Sequence, residues 1–416
     1  MKAEIKNRIE QIRQGKVPAG YKKTKQGISP AEWTGMSVKD CLCRVEKPVQ
    51  VEPETLYTQI GIRSHGNGIF YKEPVTGCAL KNKSVFWIEP DCFILNIVFA
   101  WEQAVGRTTK AEKGMIGSHR FPMYRPIEDR VDIDYLVYYF LTPRGTNILE
   151  EASPGGAGRN RTLGQERFLK STILLPPIAE QQKIAKILMT QDRVIALREK
   201  LLAEKLRQKQ YLMQVLLTGK KRLPGFMGKW EFVQAKEIFK NITDKKHSGD
   251  LVVLSATQDK GIVPRDQVDI DIKYDKESLT NYKKVCKGNF IISLRSFQGG
   301  IEYSEYTGLI SPAYTVLSAG KMIVDDFYKY FFKSVDYIRR LNVAVYGIRD
   351  GKQISYEEFG RQNIPYPSLK EQMAIADILA TVDQEIGLLR QALEQERQKK
   401  KALMQLLLSG IVRVKP

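Results

Sequence analysis

One long stretch of this chain occurs twice, and the second copy lies 191 positions after the first without a gap. The first copy begins I-L-L-P-P-I-A-E-Q-Q-K-I-A at Ile173 and closes L-M-Q-V-L-L-T-G at Gly219. The second copy closes L-M-Q-L-L-L-S-G at Gly410. Matches kept in register over this length indicate an internal duplication rather than shared helix composition.

Each copy predicts a long helix. Pro176 and Pro367 stand just before the first turn, where a missing N–H is tolerated, and Gly219 and Gly410 are C-terminal stop signals. The apolar spacing follows a heptad seam, which needs a partner helix, so we expect the copies to form an antiparallel coiled coil. The seam residues are Ile184, Leu188, Ile195 and Leu202 in the first copy and Ile375, Leu379, Val382, Ile386, Leu389 and Leu393 in the second.

Composition limits the class of protein. A chain of 416 residues, 43% of them hydrophobic, can bury the cores of two or more domains, and a formal charge of +19 favours nucleic acid as a partner. The five cysteines are scattered without a C-x-x-C pair, so we expect neither a disulfide framework nor a metal site. The charged start is no signal peptide, and no apolar run reaches the length of a membrane span. We therefore expect a cytoplasmic protein.

The duplication extends to the segments between the helices. The interpretation divides the chain into an N-terminal short helix and connector (1–22), a first globular block (23–172), the central helix (173–222), a second block (223–363) and the C-terminal helix (364–416). The strand predicted over 290–294 matches the one over 93–99, and the helix over 326–332 matches the one over 133–140. The fold class expected is α+β, with two mixed blocks separated by two long helices.

The N-terminal segment resembles the end of each long helix, because Gly15-Lys16 falls where Gly219-Lys220 falls. A repeat split between the two termini predicts a cyclic arrangement, in which the first residues pack near the C-terminal helix. The alternative is an ordinary basic leader helix.

Loops that carry basic and hydrogen-bonding side chains are the candidates for DNA contact. The two Gly-rich loops contain Arg159, Asn160 and Arg161, and Arg349 and Lys352. The loops after the matched strands contain Gln103, and Arg295, Ser296 and Gln298. Further basic turns contain Arg63, Lys81 and Lys83. The alternative for each is a solvated turn or, for Trp101 and Phe297 beside them, core packing. Neither Gly-rich loop has the G-K-[ST] ending of a phosphate-binding P-loop.

Two long repeated helices alternating with two dissimilar blocks resemble the specificity subunit of type I restriction-modification enzymes. The helix openings P-P-I-A-E-Q-Q-K-I-A and P-S-L-K-E-Q-M-A-I-A, the closings L-L-T-G and L-L-S-G, G-Y-K-K-T near the start, and S-P-A-Y-T-V at Ser311 carry this resemblance. It covers nearly the whole chain. The first block departs from the pattern, with Gly117-Ser118-His119-Arg120-Phe121 in place of S-P-A-Y.

The resemblance implies that each block reads one half of a split site in double-stranded DNA, and that the coiled coil acts as a spacer. It implies docking of two methyltransferase subunits, with restriction and translocase subunits joining them. S-adenosylmethionine, ATP and Mg²⁺ are then expected in the partner subunits and no cofactor in this chain. Homodimerisation of the isolated chain is left open.

No catalytic residue is expected. Asn363-Ile364-Pro365-Tyr366 lacks the tight Pro-Pro turn of the N-P-P-Y motif of amino-methyltransferases, and no Gly-rich turn suits S-adenosylmethionine. Two rival functions are a self-contained DNA methyltransferase or nuclease and a coiled-coil scaffold that binds proteins but not DNA.

Overall fold

The computed structural model describes residues 3–24, 27–81, 83–155, 161–247, 249–257, 261–268, 276–345 and 354–414. It divides into two compact units. The first unit comprises Met1–Leu197 and Leu393–Pro416, and the second comprises Arg198–Ala392. Each unit contains one globular block together with one end of each repeated helix.

Among the described residues, the first unit has six α-helices before the first long helix. They are α1 (Ala3–Arg13), α2 (Val38–Cys41), α3 (Gly77–Leu80), α4 (Ile133–Phe140), α5 (Pro143–Glu151) and α6 (Gln165–Lys170). The Asp132 side chain accepts a 2.8 Å hydrogen bond from the Tyr135 N–H and so caps α4. Thr142 caps α5 in the same way, and Pro143 occupies the first turn, where proline is favoured.

Short antiparallel strands make up the rest of the first unit. They are β1 (Tyr21–Thr24), β2 (Gly27–Pro30), β3 (Thr34–Ser37), β4 (Leu42–Val45), β5 (Leu56–Tyr57), β6 (Ile60–Ile62), β7 (Ile69–Tyr71), β8 (Val75–Thr76), β9 (Val85–Trp87), β10 (Phe93–Leu95), β11 (Val105–Arg107), β12 (Ile116–Ser118), β13 (Met123–Pro126) and β14 (Thr172–Leu175). The central sheet has the order β11-β10-β13-β4. Two-stranded sheets pair β14 with β3, β12 with β9, β6 with β7, β1 with β2 and β5 with β8.

The first long helix, α7, spans Ile178–Leu216. The second unit then adds β15 (Glu231–Gln234), β16 (Phe239–Ile242), β17 (Leu254–Thr257), β18 (Gly261–Pro264), β19 (Lys283–Val285), β20 (Phe290–Ile292), β21 (Glu302–Tyr303), β22 (Gly308–Ile310), β23 (Thr315–Ala319) and β24 (Asn363–Tyr366). Its helices are α8 (Ala235–Ile238), α9 (Ser296–Gly299), α10 (Asp325–Phe332), α11 (Val335–Val345), α12 (Tyr356–Gly360) and the second long helix, α13 (Leu369–Leu407).

The two units share one topology. The central sheet of the second unit, β21-β20-β23-β16, repeats the first strand for strand, and the pairs β24-β15, β22-β19 and β17-β18 repeat three of the two-stranded sheets. The cores correspond as well. Phe140 packs on Phe93 and Phe168 with ring centroids 5.4 and 5.6 Å apart, and Phe332 packs on Phe290 and Phe359 at 5.5 and 5.9 Å. The predicted α+β fold with an internal repeat is confirmed.

The two long helices pack against each other within each unit. In the first unit the early part of α7 meets the late part of α13, and in the second unit the late part of α7 meets the early part of α13, so the pairing is antiparallel. The Gln191 amide donates to Glu396 Oε2 at 2.7 Å in the first unit, and Lys205 pairs with Glu385 at 2.6 Å in the second. Of the predicted seam residues, Ile184, Leu188, Ile375, Leu379, Val382, Ile386 and Leu393 are buried, and Ile195, Leu202 and Leu389 are half-buried.

The N-terminal segment packs on the end of the C-terminal helix, as predicted. Arg8 Nη1 donates to the carbonyl of Ile411 at 2.6 Å, and the Tyr21 hydroxyl donates to the carbonyl of Gly410 at 2.7 Å. Gly410 has a positive φ of 75° and its Cα lies against Pro30 and Trp33, so a side chain there would be both strained and crowded. The repeat is therefore cyclic within the first unit.

Both long helices begin after the segment boundaries predicted at 173 and 364, at Ile178 and Leu369, just past the prolines. The residues before them form strands instead: β14 pairs with β3, and β24 pairs with β15. The reason is the prolines, because a residue that precedes proline is disfavoured in the helical region and adopts an extended backbone. The predicted strand over 93–99 is also shorter, since the Asn96 side chain accepts the Val98 N–H at 3.1 Å and turns the chain after Leu95.

Candidate nucleic-acid interface

The hairpin of β6 and β7 meets the turn that follows strand β10. The His65 N–H donates to the carbonyl of Glu102 at 2.7 Å, the Gly66 N–H donates to the carbonyl of Gln103 at 3.1 Å, and the Ser64 hydroxyl donates to the Glu102 carboxylate at 2.8 Å. Two loops that lie far apart in the sequence therefore form one surface.

Two arginines on this surface lie over aromatic rings. The Arg63 guanidinium lies 4.7 Å from the centroid of Phe70, and the Arg161 guanidinium lies 5.3 Å from that of Trp101. Trp101 is itself held by a 3.1 Å bond from its Nε1 to the carbonyl of Val98. A guanidinium on a ring face is fixed in orientation while its in-plane N–H groups stay able to donate to a phosphate or a base edge. Of the predicted contacts, Arg63 and Arg161 thus lie on the two loops that meet here, each against an aromatic ring.

Sequence reasoning did not propose His119 and Arg120, although both are exposed on the same surface. The carbonyl of Arg120 accepts the Ile97 N–H at 3.0 Å, and the carbonyl of Ile97 accepts the Leu163 N–H at 2.8 Å, which brings this loop beside Arg161. The sequence did indicate them, because the first block has S-H-R-F where the second has S-P-A-Y. The first block thus places two hydrogen-bond donors where the second has Pro312 and Ala313. We call Arg63, His65, Arg120 and Arg161 the basic cluster.

Lys81 and Lys83 lie at the end of α3, and both are exposed. The carbonyl of the next residue, Ser84, accepts the N–H of His119 at 3.3 Å, so the two lysines border the loop that carries Arg120. Their place is at the rim of the basic cluster rather than within it.

Gln103 forms a hydrogen bond within the first unit. Its Nε2 donates to the Thr146 hydroxyl at 2.6 Å, and the residue adopts a left-handed φ of 61°. The carboxamide thus ties the strand-end turn to helix α5. One of the two amide N–H groups of Gln103 is therefore used inside the unit, and its contact with DNA stays a prediction.

The second unit presents the equivalent strand end through α9. Arg295 and Gln298 are exposed there, as the predicted DNA contact requires. Ser296 is 1% exposed, and its hydroxyl accepts the Ser293 N–H at 2.8 Å. A hydroxyl buried in this way cannot reach a base edge, so the prediction for Ser296 is replaced by a role in holding the turn.

Four predicted contacts, Arg159, Asn160, Arg349 and Lys352, lie outside the described residues. Helix α5 leads toward the first Gly-rich loop, and α11 leads toward the second. In the first unit the strand-end turn packs on α5, with Gln103 bonded to Thr146. In the second, Gly300 lies so close to the Phe332 carbonyl at the end of α10 and to Ile338 of α11 that a side chain there would clash.

The segment that resembles an amino-methyltransferase motif is a strand. Ile364 is fully buried in β24, and the carbonyl of Pro365 accepts a 2.8 Å bond from the Tyr328 hydroxyl.

Within the described ranges, three or more His, Cys, Asp or Glu side chains nowhere converge as a group that could hold a metal ion. Of the helices in those ranges, none combines the length and apolar character needed to cross a bilayer.

Comparison with known proteins identifies the family of this chain. A family model described as the type I restriction modification DNA specificity domain matches residues 75–205 and again residues 227–396. The MjaVIII specificity subunit of Methanocaldococcus jannaschii is 24% identical over 420 residues, which cover 93% of this chain and 94% of that protein. The MjaX specificity subunit of the same organism is 26% identical over 313 residues, or 70% and 71% of the two chains.

Solved structures give the same fold. The HsdS subunit from Thermoanaerobacter tengcongensis aligns with a TM-score of 0.53 at 18% identity, over 95% of this chain and 98% of that chain. A chain from a structure on complex assembly and conformational transition of the type I R-M system aligns with a TM-score of 0.58 at 18% identity, over 92% and 99%. With a family model that matches most of its length in two copies, this chain belongs to the DNA specificity subunits of type I restriction-modification systems.

Proposed function

We propose that each unit reads one half of a bipartite, asymmetric site in double-stranded DNA. The observation that carries the proposal is a single topology, repeated strand for strand, that presents different side chains at the same places. The first unit offers His119 and Arg120 where the second has Pro312 and Ala313. Two copies of one scaffold with unlike surfaces are suited to two unlike half-sites.

The basic cluster supports DNA binding by the first unit. Arginine donors suit both phosphate oxygens and the O6 and N7 acceptors of guanine in the major groove. Arg63 and Arg161 are pre-oriented by aromatic rings, so they lose less freedom when they bind. In the second unit, Arg295 and Gln298 take the corresponding role, and the net charge of +19 supplies the general attraction to the duplex.

The coiled coil, in this proposal, sets the number of unread base pairs between the half-sites and docks two methyltransferase subunits. Leu197 on α7 is 59% exposed, and Leu388, its equivalent on α13, is 66% exposed. Large apolar side chains left exposed at equivalent positions of two long helices are suited to two copies of one protein partner. Restriction and translocase subunits then join the complex.

The chain itself is proposed to be non-catalytic and to act in the cytoplasm. S-adenosylmethionine, ATP and Mg²⁺ are then bound by the partner subunits.

The test maps methylated bases by long-read sequencing of the source genome with this gene intact and deleted. We expect methylation to disappear at one asymmetric motif made of two short defined blocks around an unspecified gap. Methylation retained at every motif, with active partner genes confirmed, would contradict the proposal. It would favour the rival function of a protein scaffold.

A further inference from the structure

Glu102 places a carboxylate on the loops that carry the basic cluster. Its backbone carbonyl accepts the His65 N–H at 2.7 Å, and it directly follows Trp101, over which Arg161 lies. The residue is half-buried where the hairpin of β6 and β7 meets the turn after β10. A negative charge on a surface that meets DNA is repelled by the phosphates, so we expect this carboxylate to have a specific use.

The arginines of the cluster do not neutralise the carboxylate. Arg63 and Arg161 lie over aromatic rings instead. Among the described residues, Glu102 forms no ion pair, and its carboxylate accepts only the 2.8 Å hydrogen bond from the Ser64 hydroxyl, at Oε2. A carboxylate has about four acceptor positions, so Oε1 remains available to a ligand.

The two loops hold the Glu102 side chain in place. Ser64 donates to its carboxylate from the hairpin, and the next residue, Gln103, is tied to α5 by its 2.6 Å bond to Thr146. The left-handed φ of 61° at Gln103 ends the turn directly after Glu102. An acceptor that is already held in position loses little conformational freedom on binding, which favours recognition of a defined donor.

The second unit has no carboxylate at this position. Counting from the equivalent strands β10 and β20 places Gly300 where the first unit has Gln103, and both residues have a positive φ, of 81° and 61°. Gly299 therefore stands where the first unit has Glu102. The shared topology does not require an acidic side chain here, so Glu102 serves a purpose particular to the first unit.

Base edges in the major groove decide which donor a carboxylate can accept. Cytosine and adenine present an exocyclic amino group there, whereas guanine and thymine present carbonyl oxygens that repel a carboxylate. The arginines on the loops beside Glu102 suit the O6 and N7 acceptors of guanine. A C·G pair offers the cytosine N4 donor next to those guanine acceptors, so it matches a surface that holds both an acid and arginines.

We propose that Glu102 accepts a hydrogen bond from the N4 amino group of a cytosine in the half-site read by the first unit, an inference that rests on the proposed function. The carboxylate selects against thymine and guanine at that position. It also lowers the affinity for unrelated DNA, because there it meets phosphates without a donor to compensate. Glu102 is thus a specificity-determining residue of one half-site.

The experiment maps the motif methylated by the complete methyltransferase complex, by long-read sequencing, with the Glu102→Gln chain in place of the wild type. The amide keeps an acceptor for the Ser64 hydroxyl but pairs best with adenine. We expect methylation to relax at one position of one half-site, where the preference for cytosine over adenine falls about tenfold. The affinity for unrelated duplex should rise, as measured by fluorescence anisotropy at fixed salt.

Two control variants separate base reading from a structural role. Ser64→Ala removes the bond to the carboxylate but keeps its charge, so the preference for cytosine should remain. Glu166→Gln removes a carboxylate that is 90% exposed on α6 and should change neither the motif nor the affinity for unrelated duplex.

Four outcomes would overturn the inference while the bipartite reading stands. They are an unchanged motif with Glu102→Gln, loss of all methylation with that variant, the same relaxation with Ser64→Ala, and a wild-type motif in which the relaxed half-site has no C·G pair. Absence of any bipartite motif in the wild type would instead contradict the proposed function.

Discussion

Arg413 forms a two-bond ion pair with Glu180, from Nε to Oε1 at 2.7 Å and from Nη2 to Oε2 at 2.8 Å. The same pair recurs in the second unit between Arg222 and Glu371, with both bonds at 2.7 Å. Glu180 is 1% exposed and Glu371 is 2% exposed. Each glutamate stands in the first turn of a long helix, and each arginine follows the end of the other helix, so the pair closes one end of the coiled coil in each unit.

Arg413→Ala should lower the free energy of unfolding of the first unit by about 3 kcal/mol, because it leaves the buried Glu180 carboxylate without its partner. Urea unfolding followed by tryptophan fluorescence measures the change. Arg361→Ala is the control, since its pair with Glu357 is 3.8 Å long and exposed, and it should cost less than about 0.5 kcal/mol. A loss below about 1 kcal/mol for Arg413→Ala would show that the pair does not hold the helix ends together.

Tyr138 links the first recognition block to both long helices. Its hydroxyl donates to Asp192 at 2.6 Å, and Lys400 pairs with the same carboxylate at 2.5 Å. Tyr330, Asp383 and Lys209 repeat the arrangement in the second unit. Burial, and then the bond to Asp192, raise the pKa of Tyr138 above its ordinary value, while the unfolded chain ionises near pH 10.

The sign of the pH effect follows from that pKa. Stability from Tyr138 is complete below about pH 10 and falls as the pH rises above it, because only the unfolded state then loses the proton, at about 1.4 kcal/mol per pH unit. The stability difference between wild type and Tyr138→Phe should therefore shrink from pH 9 to pH 11. The measurement is urea unfolding at several pH values, and a difference that stays constant over this range would refute the assignment.

Arg161 of the basic cluster lies over Trp101, which is itself held by its bond to the carbonyl of Val98. Arg161→Ala should weaken binding of the assembled methyltransferase complex to its site by about 1–3 kcal/mol and relax discrimination in only one half-site. Arg161→Lys should rescue the binding only in part, because an ammonium cannot donate through a planar fork while stacked on Trp101. Lys170→Ala is a suitable control, as its side chain is 73% exposed on α6. Relaxed discrimination in both half-sites would contradict reading by separate units.

How far the sequence predicts this molecule depends on the range of the interactions. The capping glycines and the repeat are local or periodic patterns, and the structure confirms them. The seam residues follow a periodic pattern too, and the structure buries or half-buries them. The basic cluster depends on the bond from His65 to Glu102 and on the contact of Arg161 with Trp101, which join residues from separate loops and leave no periodic signal. The burial of Ser296 cannot be predicted from the sequence for the same reason, because a serine that follows a strand can face either the solvent or the core.

Leu197 and Leu388 test the docking of methyltransferase subunits on the helices. Because both are exposed, Leu197→Glu and Leu388→Glu should leave the unfolding midpoint unchanged but weaken subunit binding, each at one of the two sites. Analytical ultracentrifugation of each variant with the methyltransferase subunit should show a complex with one bound copy in place of two. Two bound copies at unchanged affinity for both variants would remove these leucines from the docking surface.

The division of the chain into units offers a test of the spacer. The boundaries fall after Leu197 on α7 and after Ala392 on α13, so a heptad inserted at both boundaries keeps the seam in register. Seven residues lengthen each helix by about 10 Å, which corresponds to about three base pairs at roughly 3.4 Å each. The methylated motif of the variant should keep both half-sites and gain about three unspecified base pairs between them, as read by long-read sequencing. A heptad in α7 alone breaks the pairing and should abolish methylation, whereas an unchanged gap with both insertions would show that the coiled coil does not set the spacing.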